Sequence, residues 1–230
     1  MKAKTRTIAP PSLLFMPTVY LLRLSETTLQ RTRSLLLQAN GIELAGSQGH
    51  FNDALAEIAS LAPDIVASDL RLMDAHAMRV AHELGRLPVR PQLLLLTPTA
   101  DDLQLFAALS AGANAYHVDD GSRGGLVESI TRLHDRRAML NPPLARLALA
   151  AFGIERSPLV TACQPAAPLD TTPAGRQIDQ SSRHLLTLLA QGLLLAEIAT
   201  LWKLETAEIE RRIWRLVRLL HVRSRELLIA

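Results

Sequence analysis

The chain has 230 residues, which is long enough for two ordinary domains and too short for three. A hydrophobic content of 48% supplies a buried core, and the single cysteine, Cys163, excludes an internal disulfide. Most of the net charge of +3 lies near the end, because residues 176–230 hold nine Lys and Arg against six Asp and Glu. This excess favours a polyanionic partner for the C-terminal region.

Composition and spacing argue against several other classes of protein. No apolar run is long enough to cross a membrane, and Pro10, Pro11 and Pro17 interrupt the only apolar segment near the start. We therefore expect a cytoplasmic protein without a signal peptide. His76 and His82 are six residues apart and lack a cysteine nearby, so they predict no metal site. Neither a catalytic triad nor a glycine-rich phosphate loop is present, and we expect no enzymatic activity.

The first two thirds of the chain alternate between strand and helix patterns. Residues 1–17 predict a loose tail. Predicted strands then cover 18–24, 42–47, 64–68, 92–97 and 113–118, and predicted helices cover 27–39, 51–61, 76–86, 101–111 and 124–137. Five such repeats predict a flavodoxin-like (βα)5 domain over 18–140, with a parallel sheet and sites at the carboxyl ends of its strands.

A different pattern follows this domain. A further helix is predicted over 141–152, and residues 153–177 are rich in proline, alanine and threonine without hydrophobic periodicity. We interpret 141–177 as a helix extension and an extended linker. A second, all-helical domain is predicted over 178–230.

Residues 191–221 predict a short helix, a tight turn and a longer basic helix, which is the shape of a helix-turn-helix. Spacings of three and four give the longer helix one apolar face, formed by Ile209, Ile213, Leu216, Val217 and Leu220. Arg211, Arg215 and Arg218 follow another face. Such a row suits DNA phosphates, but a solvated helix face has the same pattern.

A family resemblance bears on this choice. The residues that carry it are Leu185, Leu186, Leu189, Ala190, Gly192, Glu197, Ile198, Ala199, Ile209, Ile213, Leu216, Leu220, Val222 and Arg225. Through them, residues 178–229 resemble the four-helix LuxR-type DNA-binding domain of NarL/FixJ-class bacterial response regulators. The resemblance implies double-stranded DNA as the partner and a homodimer that pairs through a final helix over 224–229. It places the DNA contacts on Ala207, Glu210, Arg211, Arg212, Trp214, Arg215 and Arg218.

Two departures from that family leave a second function open. Leucines occupy 193–195, where the family has a polar run, and they either pack within the protein or form an exposed patch for a partner. Glu205, Glu208 and Glu210 bring three carboxylates close to the expected phosphates, although Glu208 can pair with Arg212. The alternative function is an interaction protein that pairs with another regulator or kinase and does not read DNA.

The first domain also resembles a known one. The segment PDIVASDLRLMD at 63–74 is similar to the phosphoacceptor segment of receiver domains, and Asp69 matches the aspartate that takes the phosphoryl group. Thr97 matches the switch hydroxyl, and Tyr116 in GANAYHV matches the aromatic switch position. The resemblance spans about 18–137, and with the C-terminal match it implies a NarL/FixJ-class response regulator.

Two positions of the receiver pattern, Ser25 and Asp119, are altered. Receivers hold Mg²⁺ with an acidic pair after the first strand, where this chain has Ser25 and Glu26. Glu26 and Asp69 remain as two oxygen ligands for a Mg²⁺ ion. Asp119 replaces the lysine that neutralises the phosphoryl group, and a carboxylate there repels it. We therefore expect a pseudo-receiver, in which Asp69 either caps the following turn or belongs to a surviving cation or ligand site.

Overall fold

The protein is described here by a computed structural model over residues 16–98, 102–119, 123–153 and 178–229. Its N-terminal part, the receiver-like part, contains one parallel sheet in the order β2-β1-β3-β4-β5. The strands are β1 Thr18–Leu22, β2 Glu43–Gln48, β3 Ile65–Asp69, β4 Gln92–Thr97 and β5 Ala115–Val118. The helices between and after them are α1 Glu26–Leu37, α2 Phe51–Leu61, α3 Ala77–Leu84, α4 Asp102–Ala111 and α5 Arg123–His134. The predicted flavodoxin-like fold is confirmed.

Side chains alternate across each strand, so the sheet presents one apolar layer to each side. Tyr20, Leu22 and Val66 point to the side covered by α2, α3 and α4. Val19 and Leu21 point to the opposite side, which α1 and α5 cover. Burial on both faces explains why the central strands β1, β3 and β4 contain continuous buried runs, whereas the edge strand β2 does not.

The C-terminal part follows a connecting helix, α6 Pro142–Ala151, which Asn141 caps by accepting the backbone N–H of Leu144 at 2.9 Å. Its helices are α7 Gln180–Ala190, α8 Leu195–Trp202 and α9 Thr206–Ile229. Helices α8 and α9 form the predicted helix-turn-helix. The predicted final helix over 224–229 is the end of α9 rather than a separate element, because neither glycine nor proline interrupts 206–229.

The two parts pack against each other over the described residues. Helix α6 packs on α7, and α9 packs on α4. One apolar cluster therefore runs from the sheet through α6 into the helix-turn-helix. Most of the predicted tail and linker lies outside the described residues, so the domain boundaries remain predictions. Within the described ranges, none of the helices is both long and apolar enough to span a membrane.

Candidate functional site

A buried arginine joins three strand ends at the carboxyl edge of the sheet. Arg23 follows β1 and is only 6% exposed. Its Nε lies 3.0 Å from Oδ1 of Asp69, and its Nη2 donates to Oδ2 of Asp119 at 3.0 Å. The Nη1 group donates to the hydroxyl of Thr32 at 3.0 Å. We call the contacts of Arg23 with Asp69 and Asp119 the Arg23 bridge; it places a permanent cation between the two carboxylates.

Asp69 uses both carboxylate oxygens within the protein. Oδ1 faces Arg23, and Oδ2 accepts the backbone N–H of Leu24 at 2.7 Å. Burial raises the pKa of Asp69 above its ordinary value, and the Leu24 N–H and the Arg23 guanidinium oppose that rise. These contacts tie Asp69 to the loop after β1, whereas a capping carboxylate would bind the turn after β3.

The two possible Mg²⁺ ligands, Glu26 and Asp69, each contact another side chain. Ser25 and Glu26 are exposed at the start of α1, and the Glu26 carboxylate accepts the side-chain amide of Gln30 at 2.7 Å. In the part of the chain that the structure covers, no group of three or more His, Cys, Asp or Glu is arranged to hold a metal ion. With the Arg23 guanidinium against Asp69, these residues do not fit a divalent cation.

The two predicted switch residues lie on neighbouring strands. Thr97 ends β4 and is 2% exposed. Tyr116 lies in β5, and burial raises the pKa of its phenol to about 12. The roles of Thr97 and Tyr116 as switch residues remain predictions.

The loop after β3 is fastened to α2. Asp74 accepts the backbone N–H groups of Phe51 and Asn52 at 2.9 and 2.8 Å, and so caps the start of α2. The Arg79 guanidinium donates to the Asn52 side chain at 2.7 Å and to the Asp74 carbonyl at 2.8 Å. These four hydrogen bonds fix the loop that leads away from Asp69.

The predicted DNA contacts fall on two sides of α9. Arg211, Arg215 and Arg218 are exposed, whereas Glu210 is buried against the receiver-like part. Between these extremes lie Ala207, Arg212 and Trp214, which are half-buried. An exposed basic row thus remains available to phosphates, while the part of the predicted list that faces α5 is covered.

Glu208 organises the start of this basic row. It contacts Nε of Arg211 at 2.9 Å and Nε of Arg212 at 3.3 Å, which confirms the predicted pairing of Glu208 with Arg212. The hydrogen bond from Arg211 holds the pKa of Glu208 below its ordinary value. Glu208 is therefore charged at neutral pH but partly neutralised by its neighbours, which reduces its repulsion of a nearby phosphate.

The leucines at 193–195 lie in both of the expected environments, the protein interior and the exposed surface. Leu193 and Leu195 pack partly against the apolar core. Leu194 is 67% exposed, and Leu201, seven residues later on α8, is 59% exposed. The run therefore contributes to the interior and also leaves an apolar stripe on the surface.

Comparisons with known proteins agree with this architecture. No family model matches the chain. The DNA-binding transcriptional activator DevR/DosR of Mycobacterium tuberculosis is 28% identical over 159 residues, which is 69% of this chain and 67% of that protein. The response regulator VraR of Staphylococcus epidermidis is 21% identical over 47% of this chain and 52% of its own length. The chain's relatives are response regulators of the NarL/LuxR family.

Solved structures extend the similarity in fold to both parts of the chain. RcsB of Salmonella enterica serovar Typhimurium, in a structure bound to a promoter, is 15% identical and superposes with a TM-score of 0.52. The superposition covers 91% of this chain and 98% of that one. It confirms that the fold joins a receiver-like part to a C-terminal helical part.

Proposed function

We propose that the chain is a transcription regulator that binds double-stranded DNA through α8 and α9, and that Asp69 is not controlled by ordinary phosphorylation. The observation that carries this proposal is the Arg23 bridge within a response-regulator fold. DNA binding is supported by relatives that include a DNA-binding transcriptional activator and by the helix-turn-helix itself.

The exposed arginines supply the DNA-facing chemistry. Arg211, Arg215 and Arg218 project from one side of α9, where guanidinium groups can bind phosphates or the O6 and N7 atoms of guanine. Because a single helix-turn-helix contacts one half-site, we further propose a homodimer on a two-fold operator. The domains that carry these roles are residues 18–140 and 178–230.

Selection from a random duplex library by the purified full-length protein tests the DNA function. Enrichment of a two-fold motif is the expected outcome, and affinity for the enriched duplex should fall steeply with added salt because phosphate contacts release counterions. Absence of enrichment at low salt, with the protein folded, would contradict DNA reading.

The Arg23 bridge argues against phosphoryl transfer for a physical reason. An attacking aspartate needs a free carboxylate oxygen and a cation to neutralise the incoming phosphoryl group. Here Oδ1 of Asp69 lies against the Arg23 guanidinium, Oδ2 accepts the Leu24 N–H, and Asp119 shares that guanidinium, so its positive charge is already balanced by two carboxylates. A divalent cation would also approach the buried guanidinium, whose like charge repels it.

Cation binding tests this second half of the proposal. Titration calorimetry with MgCl₂ should give no binding heat that depends on Asp69, so the native protein and Asp69→Ala should be indistinguishable. A saturable heat in the native protein that Asp69→Ala abolishes would show that Arg23 yields its place to a metal ion.

A second candidate function is favoured by the apolar stripe of Leu194 and Leu201. An interaction protein that pairs with another regulator or kinase would use such a surface. Leu194→Gln discriminates between the two functions. A DNA reader should keep its duplex affinity when the stripe is made polar, whereas an interaction protein should bind no duplex and should lose its protein partner.

A further inference from the structure

A buried glutamate lies where α9 meets the receiver-like part. The Glu210 side chain is 5% exposed, with Oε1 at 3.5 Å from Nε of Arg132 and Oε2 at 3.4 Å from Nη1 of Arg137. The backbone N–H of Ala138 donates to the Glu210 carbonyl at 3.2 Å. The carboxyl end of α5 and the residues after it thus surround one residue of α9 with two cations and one backbone donor.

Contacts on the same face of α9 extend this arrangement. Trp214, four residues after Glu210, lies under the guanidinium of Arg136 at 5.9 Å. His221 donates from Nε2 to the backbone carbonyl of Ala113 at 2.7 Å. Residues spaced by four and seven share one helix face, so this face as a whole is turned toward the receiver-like part.

The two arginines hold closer partners of their own. Arg132 contacts Glu128 at 2.5 Å, and Arg137 contacts Asp135 at 2.9 Å. Both partners belong to the receiver-like part, so the arginines keep them when α9 moves away. The ion pairs to Glu210 are longer, which is the geometry of an attachment that water can replace.

We propose that Arg132 and Arg137 form a carboxylate-binding site whose ligand is the Glu210 side chain, with the Ala138 N–H bound to the main-chain carbonyl of the same residue, and that this Glu210 site sets the fraction of molecules in which α9 is held against the receiver-like part. The attachment is separate from Asp69, which uses Arg23 and Leu24. Its consequence for DNA rests on the proposed function, because Glu210 and Trp214 belong to the predicted DNA contacts.

If the Glu210 site holds α9, removal of its arginines should change DNA affinity in the direction opposite to that expected from charge alone. A buried carboxylate that loses its cations is strongly destabilised, and it regains water when α9 separates. Removal of Arg132 and Arg137 therefore favours the separated form. Loss of two positive charges ordinarily weakens DNA binding, because fewer counterions are released. In this protein, loss of these two arginines should strengthen DNA binding by uncovering α9.

The test compares full-length variants in a Cys163→Ser background. Arg132→Ala/Arg137→Ala removes the site, and Arg137→Lys keeps a cation there. Arg33→Ala/Arg90→Ala removes the same charge from exposed positions of the receiver-like part and serves as the matched control. Spin labels on cysteines introduced at the exposed positions Gln38 and Thr200 report the distance between the two parts, and binding to a random-sequence duplex at low salt reports DNA affinity.

The expected result is a longer and broader distance distribution in Arg132→Ala/Arg137→Ala, with DNA affinity raised about fivefold or more. Arg137→Lys should keep the native distance, and the matched control should keep it while binding DNA no more tightly than the native protein. Arg137→Ala alone should change the distance and the DNA affinity in the same direction but by less. This single variant provides the comparison if the double variant does not fold.

Two outcomes separate this inference from the proposed function. An unchanged distance in variants that keep native helix content overturns the Glu210 site, whatever the DNA affinity does. A longer distance with no duplex binding by any variant supports the Glu210 site and contradicts the DNA-binding function.

Discussion

Among the residues that the structure describes, Asp69 and Glu210 are carboxylates with little solvent exposure that pair with arginine, and they differ in how tightly they are held. Asp69 lies 3.0 Å from Arg23 and 2.7 Å from the Leu24 N–H, all within one sheet edge. Glu210 lies 3.4 to 3.5 Å from two arginines that have closer partners elsewhere, across the boundary between the two parts. Similar charge chemistry can therefore serve as a fixed structural element in one place and as a releasable contact in another.

The largest effect should come from removing the shared cation of the fixed cluster. Arg23→Ala removes the buried guanidinium that Asp69 and Asp119 share, and removal of one partner of a buried ion pair typically costs about 3 kcal/mol of unfolding free energy. Urea denaturation measures the loss, with Arg33→Ala as the exposed control. A loss of unfolding free energy no greater than that of Arg33→Ala would show that the Arg23 bridge is not a fixed structural element.

A smaller effect should come from the exposed basic row. Arg211→Ala/Arg215→Ala should weaken binding to the selected duplex by roughly thirtyfold and reduce the salt slope by about two, because two phosphate contacts are lost. Helix content should stay native, since both side chains are exposed. Unchanged affinity would remove these arginines from the DNA contacts.

A helix cap in the C-terminal part gives a third, smaller effect. Asp179 caps α7 by accepting the backbone N–H of Ser182 at 3.2 Å, and Asp179→Ala should cost about 1 kcal/mol at neutral pH. Hydrogen bonds from the Ser181 side chain and, second in size, from Ser182 hold the pKa of Asp179 below its ordinary value of 3.8. The carboxylate's contribution is therefore complete above pH 3.8 and is lost as pH falls through the lowered pKa.

Denaturation of the native protein and Asp179→Ala between neutral and acidic pH checks this sign. The stability difference should shrink only on the acid side. A stability difference that grows on acidification would contradict the role of Asp179 as a helix cap. It would also mean that this contact is not a fixed one, in contrast to the releasable contact of Glu210.

The smallest effect should be that of Leu194→Gln on stability. Because Leu194 is 67% exposed, the free energy of unfolding, measured by thermal denaturation, should change by less than about 0.5 kcal/mol. Ile198→Gln, at a fully buried position of α8, is the contrasting variant and should be strongly destabilising. Equal effects of the two variants would mean that Leu194 is covered in the folded protein.

Local patterns in the sequence were sufficient to predict the fold. The bounds of β4 and α2 match the prediction residue for residue, because an apolar run between Pro91 and Pro98 and a periodic helix after Gly49 are local signals. The Glu208 and Arg212 pair was also predictable, since residues four apart on a helix are neighbours.

The candidate site was predicted only in part. Arg23 is absent from the predicted site residues, although a charged residue directly after an apolar strand is a signal for a buried ion pair. The family pattern favoured Ser25 and Glu26, which are exposed at the start of α1, and the Glu26 carboxylate accepts a hydrogen bond from Gln30. The Glu210 site joins residues 73 positions apart in the chain, and no local pattern specifies how two domains pack.

The most direct test of the central claim is intact-mass measurement after incubation of the full-length protein with a small phosphodonor and Mg²⁺. The Arg23 bridge predicts no added phosphoryl group in the native protein, and the same mass behaviour in Asp69→Ala. Stoichiometric addition of one phosphoryl group to the native protein, lost in Asp69→Ala, would contradict the claim and show that Asp69 is a working phosphoacceptor.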